Sequence, residues 1–465
     1  MEPTMIIRGG VAVTDGTVWN TDITISEGII SSLSAPNHSA APRAQTVDAR
    51  DLLLLPGVID PHVHFQLPFC GAVTADDFSS GSRAAAMGGV TTFIDFATPS
   101  PDEPMEASID ARLQQIEGMS HVDFALHGGI TRWRPDTRRS ISQAISRGIP
   151  TFKTFMTYRK ERRMVSDATL FRCLEETGEH GGAILVHAEN DSLISLLIRR
   201  AHKAGHLAPI YHGRSRPPVT EAEPIGRAIR LAAAAEGRLY IVHMSTVDGA
   251  ETVRQGQVDG VQVAAETCPQ YLLLNEQRFN QPDGHLFATC PPLRAEHHAD
   301  GLWEALIDGT VSCIGTDHCN FTAQQKAVWD GDFTRIPYGM PGVETLLPLI
   351  YSYGVRENRI SLPELVEILS GNPAKLFGLF PQKGTLRPGS DADIVFFDPD
   401  ASWTVNKQEL ATPGDWYPYA GFLVQGRIRH VLQRGRWLVR DGQFVGGLIR
   451  GQFLPRQLES GVGWE

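Results

Sequence analysis

Between residues 58 and 318 the chain alternates short apolar runs with stretches of helical period, and it does so eight times. The runs end at VIDPHVH, TTFIDF (91–96), DFALHGGI (123–130), TFKTFM (151–156), AILVHAEN (183–190), LYIVHMS (239–245), VQVAAETCPQYL (261–272) and VSCIGTDH (311–318). Between them lie DDFSSGSRAAAMGG, EASIDARLQQIEG, DATLFRCLEETGEHG and EPIGRAIRLAAAAEG, each opening near an acidic or small polar residue and closing on Gly. Strands that alternate with helices pair in parallel, and eight such units predict an α/β fold, the (β/α)8 TIM barrel. In that fold the chemistry sits at the carboxyl ends of the strands.

The flanks have a different period. From Met5 to Ser34 short alternating runs (MIIRGGVAV, TDITISEGII) are split by turn residues, and no helix is evident. A Pro/Ala/Ser connection (35–46) precedes the LLLL run at 52–55. Beyond the barrel, SLPELVEILSGNPAKLFGL (361–379) reads as paired helices; DADIVFFD, WTVN and IRHVLQRGRWLVRDG (428–442) read as strands. The amino-terminal strands alone would be marginal and edge-exposed, so both termini are expected to build one small composite β-sandwich domain. The expected division is β domain 1–55, barrel 56–384, second part of the β domain 385–447, and a tail 448–465 that contacts a neighbouring subunit.

Charge and composition narrow the function. A net charge of −11 offers no broad basic face for nucleic acid, and no segment is long and apolar enough to span a bilayer. The amino terminus lacks a basic start and an apolar core, so a cytoplasmic location is expected. The six cysteines (Cys70, Cys173, Cys268, Cys290, Cys313 and Cys319) form no CxxC pair, which argues against a disulfide framework or a thiolate zinc site. This balance favours an enzyme acting on a small molecule.

Chemistry-bearing residues collect at the strand ends. Asp60, His62 and His64 alternate on the first strand and are expected on one face; Lys153 lies on the fourth, His187 on the fifth, His243 on the sixth and Asp317 on the eighth. Neutral imidazoles and a carboxylate converging on one mouth can hold one or two metal ions. Lys153 lies in an apolar strand, where an ammonium is costly. Burial lowers a lysine's pKa, and a neutral amine can react with carbon dioxide to give a carbamate, an anionic bridging ligand.

PGVIDPHVHF, FKTFMTY, VHAEN, IVHMST, ETCPQYLLL, CPPLR, IGTDHC and GNPAKLFGL, followed by GSDADIVFFDP, resemble the cyclic-amide hydrolases of the amidohydrolase superfamily, the hydantoinase and dihydropyrimidinase group. The resemblance implies that His62 and His64 bind one divalent ion with Asp317 and that His187 and His243 bind a second. It also implies that Lys153, as N6-carboxylysine, bridges the two. Zinc is the implied metal, with manganese or cobalt as alternatives. It further implies that a hydroxide shared by the metals opens a hydantoin or dihydropyrimidine ring to the ureido acid, with Tyr158 as oxyanion donor and Asp317 as proton carrier. Assembly as a homo-oligomer, a tetramer or dimer, is implied too.

Dihydroorotases and allantoinases are the rival enzymes. Dihydroorotases carry an Arg two residues after the second His, where this chain has Gln66, although GMPGVETLLPL (339–349) looks more like their version. A rival of another class is the non-catalytic assembly relative, which lacks the metal ligands; here every ligand position is filled. At the substrate-binding positions the chain departs from its group, with Cys290 where Ser is usual and Tyr338 where Asn is usual. It also carries a basic run, Arg159, Lys160, Arg162 and Arg163, directly after Tyr158. Of the remaining candidates, His212 reads as loop scaffold, His297 and His298 as a solvated helix start, His318 as a group beside Asp317, and Cys319 as packing.

Overall fold

A computed structural model describes residues 4–37, 43–69, 71–459 and 461–464. Eight strands lie side by side in chain order: β1 (Val58–Val63), β2 (Val90–Ala97), β3 (Asp123–Gly129), β4 (Thr151–Phe155), β5 (Ala183–His187), β6 (Leu239–Ile241), β7 (Val263–Thr267) and β8 (Cys313–Ile314). Every neighbouring pair is parallel. The seam between β8 and β1 is closed by Asp60, which accepts from the Thr316 N–H (3.0 Å) and hydroxyl (2.5 Å), and by the His64 N–H donating to the His318 carbonyl at 2.8 Å.

Side-chain parity divides the barrel into two packed layers. Ile59, Ile94, Ala125, Leu185 and Ala264 fill the interior, while their neighbours Val58, Phe93, Phe124, Ile184 and Val263 pack outward against the helices. The same parity sends Phe152 outward and its neighbour Lys153 into the barrel. Helices form where caps and period predict them: Phe78–Met87 opens on a capping box between Asp77 and Ser80, and Asp167–Glu179 opens on Ser166. Gly57 sits where only hydrogen fits, because a Cβ there would lie 2.1 Å from the Thr91 hydroxyl.

Several boundaries differ from the sequence reading. The run VQVAAETCPQYL is strand only to Thr267; Pro269 then starts a short helix, Pro269–Leu273. The expected helix pair at 361–379 is one continuous helical stretch, Leu362–Val366 running through a π turn at Glu367–Gly371 into Asn372–Leu376. Pro373 offers no N–H to the preceding turn, and the helix widens there instead of breaking.

Strands from both termini form one nine-stranded sheet. Its path runs from Gln443–Phe444 through Arg436–Arg440, Leu423–Gln433 and Ile394–Thr404 to Leu53–Pro56, then through Met5–Thr14 and Thr17–Ser26 to Ile29–Ser34, with Gln45–Asp48 pairing on Met5–Thr14. The LLLL run is therefore the splice between this sheet and β1. A buried ion cluster adds a second link: Lys383 Nζ reaches Asp123 at the start of β3 (2.7 Å), Asp391 (2.9 Å) and Asp393 (2.8 Å). The tail packs on its own barrel. Leu454 and Arg456 bond the backbone of Phe124 and Leu126, and Leu454, Leu458 and Trp464 bury themselves in the interior cluster, leaving Leu448 92% exposed.

The five described cysteines are free and buried; Cys70 lies outside the described residues. Among the described residues no helix is long and apolar enough to cross a membrane.

Candidate metal centre and active-site pocket

One pocket opens at the carboxyl ends of the strands, and each residue assigned to it from sequence lines it: His62, His64, Lys153, Tyr158, His187, His243, Cys290, Asp317 and Tyr338. β1 carries His62, with His64 one residue past its end, β4 delivers Lys153, and β5 ends on His187. His243 and Asp317 lie just beyond the ends of β6 and β8, on left-handed backbone (φ +39° and +49°), as does Tyr158 beyond β4 (φ +66°). Such conformations cost an L-residue about 1–3 kcal/mol each and persist only where surrounding structure imposes them. Here they turn three side chains into one mouth.

Donor atoms converge as a cation would require. The Nε2 atoms of His62 and His64 are 3.2 Å apart, and Asp317 Oδ1 lies 3.2 Å from each. The three side chains form a group whose potential ligand atoms lie within 4.8 Å of one another. Beside them the rings of His187 and His243 meet edge to face at 4.5 Å, and His243 stands 5.4 Å from His62. Nδ1 of His64 and Nδ1 of His243 are buried without a hydrogen-bond partner. Burial holds His62 and His243 well below the ordinary imidazole pKa, so both rings are neutral bases. Burial alone would raise Asp317, but the His62 and His64 rings and Lys153 hold it below the usual carboxylate range. Neutral imidazoles around an ionised carboxylate make a donor set that fits zinc and its first-row neighbours.

Lys153 is enclosed by rings, its Nζ 5.1 Å from the Phe96 centroid and 5.7 Å from that of Phe155. Burial pushes its ammonium down to about 8, against partial compensation from Glu266 and Asp317. Tyr158 stands with its ring 5.0 Å from His187. Burial, with Cys290 and Glu189 nearby, holds its phenol well above its ordinary pKa, which keeps the hydroxyl a donor.

Two carboxylates that the sequence reading passed over support the rings. Glu266, at the end of β7, bonds His62 Nδ1 and also accepts from the His243 N–H (3.1 Å) and the Tyr240 hydroxyl (3.0 Å). Burial raises it to about 8. A cation on His62 Nε2 places the ring proton on Nδ1, facing this carboxyl, which fixes tautomer and orientation together. Glu189 takes His187 Nε2 at 2.9 Å, leaving Nδ1 as that ring's ligand atom. Burial opposes its charge, yet His187 and Arg216 hold it below its ordinary pKa. Both acids stand in the quoted motifs VHAEN and ETCPQYLLL, and the lack of any assigned residue on the seventh strand was the available signal.

Two expectations are corrected. Asp60 does not share a face with His62 and His64, because the register of β1 against β2 shifts between Asp60 and Val63 and the carboxylate turns to Thr316. His298 is buried and accepts the Val247 N–H at 3.2 Å; only His297 is solvated. Cys319 is buried, in keeping with the packing reading, and also forms part of the pocket wall. His318 is second to Asp317 as expected, bonded to Asp76 at 2.9 Å and accepting the Gly342 and Val343 N–H groups. His212 is a buried scaffold residue, 2.7 Å from the Thr289 carbonyl.

The amidohydrolase family matches residues 53–438. The chain is 39% identical to the D-hydantoinase of Geobacillus stearothermophilus, over 97% of this chain and 96% of that protein. It is 38% identical to the D-phenylhydantoinase of Escherichia coli O1:K1 / APEC, over 97% and 98%. Its structure superposes on the dihydropyrimidinase from Brevibacillus agri NCHU1002 with a TM-score of 0.96 at 38% identity, over 98% and 99% of the two chains. Barrel, pocket and these likenesses lead to one conclusion: the chain belongs to the amidohydrolase family, in its hydantoinase and dihydropyrimidinase group.

Proposed function

We propose that this chain hydrolyses hydantoin- or dihydropyrimidine-type cyclic amides to ureido acids. The observation that carries the reading is the convergence of His62, His64, Lys153, His187, His243 and Asp317 on one pocket that also holds the Tyr158 hydroxyl. The family implies a binuclear divalent metal site, and these six side chains are its candidate ligands. His62, His64 and Asp317 would hold one ion and His187 and His243 the other. Lys153 would lie between them as the carbamate formed when its neutral amine adds carbon dioxide and gives up a proton. Zinc suits the donor set, with manganese and cobalt as alternatives. Two bound divalent ions would acidify a shared water and polarise the ring carbonyl.

The remaining work falls to the protein. Tyr158 donates its hydroxyl proton in a hydrogen bond to the carbonyl oxygen as charge grows there. Asp317 accepts the proton released from the attacking water and passes it to the ring nitrogen, which leaves only once protonated. Cys290 and Tyr338 line the part of the pocket that shapes ring fit. The exposed Leu448 and Val445 near the start of the tail motivate assembly as a homotetramer or dimer, checked by light scattering at micromolar concentration; the expected compartment is the cytoplasm.

Metal analysis combined with a turnover screen over hydantoin, dihydrouracil, dihydroorotate and allantoin tests the reading. Ring opening of the first two with two divalent ions bound per chain is the expected result. Faster turnover of dihydroorotate or allantoin would move the chain to the rival enzymes, and a metal-loaded protein that opens none of the four would overturn the proposal.

A further inference from the structure

Lys326 is fully buried and ends the short helix Ala323–Lys326. That helix is fixed at three points. Thr322 and Gln325 form a capping box, the Ala323 N–H donates to Asp415 at 2.8 Å, and the Gln325 side-chain amide donates to the Val73 carbonyl at 2.7 Å. From this base the Lys326 Nζ donates to the Ala288 carbonyl at 3.0 Å and to the Pro337 carbonyl at 2.9 Å, with the Trp416 ring centroid 5.6 Å away. Burying a lysine head without partners is costly, so the lysine and the two carbonyls hold one another in place.

The two carbonyls belong to separate stretches that both reach the pocket. Ala288 precedes Thr289 and Cys290, and Pro337 precedes Tyr338 and Gly339; all four of these following residues line the pocket, whereas Lys326 does not. The stretches are also joined directly, because the Gly339 N–H donates at 3.0 Å to the same Ala288 oxygen that Lys326 binds. His212 bonds the Thr289 carbonyl at 2.7 Å, and its ring lies 4.8 Å from that of Tyr338. The Ala288 C=O and the Thr289 N–H share one peptide unit, as do the Pro337 C=O and the Tyr338 N–H. Donation to each oxygen therefore polarises the unit and strengthens its N–H as a donor.

We propose that Lys326 is a positioning residue for the substrate ring: from behind the pocket wall it fixes the spacing and polarity of the two stretches against which a cyclic amide binds. The inference rests on the ring-opening reading above and adds a residue outside the pocket on which ring binding depends. A lysine suits this place because its rotatable donors sit on a compact head and reach carbonyls from two stretches at once. None of the six candidate metal ligands lies on either stretch. Loss of Lys326 should therefore loosen ring binding and leave the ions in place.

The test compares metal-loaded wild type with Lys326→Met, which removes the donors at similar length, and Lys326→Gln, which keeps a donor for one carbonyl. Hydantoin and dihydrouracil are the substrates. Lys326→Met should bind divalent ions in the wild-type ratio, keep kcat within about threefold and raise KM at least about tenfold, the scale of a buried carbonyl left unsatisfied. Lys326→Gln should fall between the two. Amide hydrogen exchange gives a readout independent of turnover: peptides covering 286–293 and 336–342 should exchange at least about tenfold faster in Lys326→Met, while the peptide covering 58–66 stays unchanged. Should Lys326→Met not fold, Lys326→Gln carries both readouts; failure of both to fold would make Lys326 a purely structural residue and overturn the inference. A KM within about twofold of wild type, a raised KM without faster exchange, or a loss of bound metal also overturns it and leaves the ring-opening reading standing. Wild type that opens neither ring overturns that reading, and this inference with it.

Discussion

Two of the buried lysines, Lys383 and Lys153, lie at opposite ends of the barrel, and they are in opposite states. Lys383 meets Asp123, Asp391 and Asp393 at 2.7 to 2.9 Å and donates hydrogen bonds to Asp123 and Asp393. Burial would lower its pKa, but Asp393, Asp123 and Asp391 raise it above the ordinary value. Lys153 is as deeply buried, yet among the described residues no carboxylate lies within ion-pair distance; its surroundings are Phe96, Phe155 and histidines, and burial pulls it down to about 8. The same side chain is a structural cation at one end and a reactive amine at the other. What separates them is not depth but the placement of acids: the amino-terminal end spends carboxylates on a lysine, and the carboxyl-terminal end spends them on imidazoles, through Glu266, Glu189 and Asp317.

The comparison can be broken most sharply at Lys153. Lys153→Ala should strip bound metal and lower turnover by on the order of a thousandfold or more, with partial rescue by a small carboxylic acid that occupies the vacated space. Electron density at a metal-loaded site showing a bare amine would contradict the carbamate. Asp317→Asn should cost a similar factor while leaving the fold intact by circular dichroism, because it removes a ligand charge and the proton carrier together.

At the other end Lys383→Met should leave three buried carboxylates without a cation and destabilise the chain by about 3–5 kcal/mol in urea titrations. The folded fraction should retain wild-type turnover within about twofold; a loss of activity beyond that would mean the two ends are coupled.

The signs of pH dependence should also oppose. In metal-free protein Lys153 is protonated less readily folded than unfolded, so its burial destabilises the fold fully below about pH 8, and the penalty fades as pH rises toward its ordinary 10.5. Relative to Lys153→Met, the wild type should gain about 3 kcal/mol over that window. Lys383 has a raised folded pKa, so its stabilisation is complete below 10.5 and is lost only as pH climbs through the folded value. A flat difference between wild type and Lys153→Met from pH 7 to 10 would remove the amine's special state.

The smallest expected effect is Tyr158→Phe, about a hundredfold in turnover, the usual scale for one oxyanion donor, with metal content unchanged. Loss of metal in this variant would show that Tyr158 supports the ligands instead of the reacting oxygen.

Period alone carried much of the architecture. Apolar runs that alternate with capped helices can bury both of their faces only in a parallel sheet wrapped by helices, so the eight strands and the inward direction of Lys153 were legible from residue spacing. The histidines and Asp317 were legible for the same reason, since a strand end is where a barrel presents its chemistry. Tertiary structure decided what spacing cannot encode. Asp60 left the histidine face because β1 shifts register and a carboxylate was needed to close the seam with β8. Glu266 acquired its role from the His62 ring, two strands away across the seam, a contact that exists only after closure, and Glu189 from the His187 ring two residues before it. The tail found its place beneath the barrel because the interior there was open to Leu454, Leu458 and Trp464, and a sequence does not state the size of a cavity. Likewise Arg163 and Arg162 are adjacent and chemically identical, and a single left-handed turn sends one into the pocket and the other to Asp102. Local sequence determines which residues can do chemistry; three-dimensional closure determines which groups each of them meets.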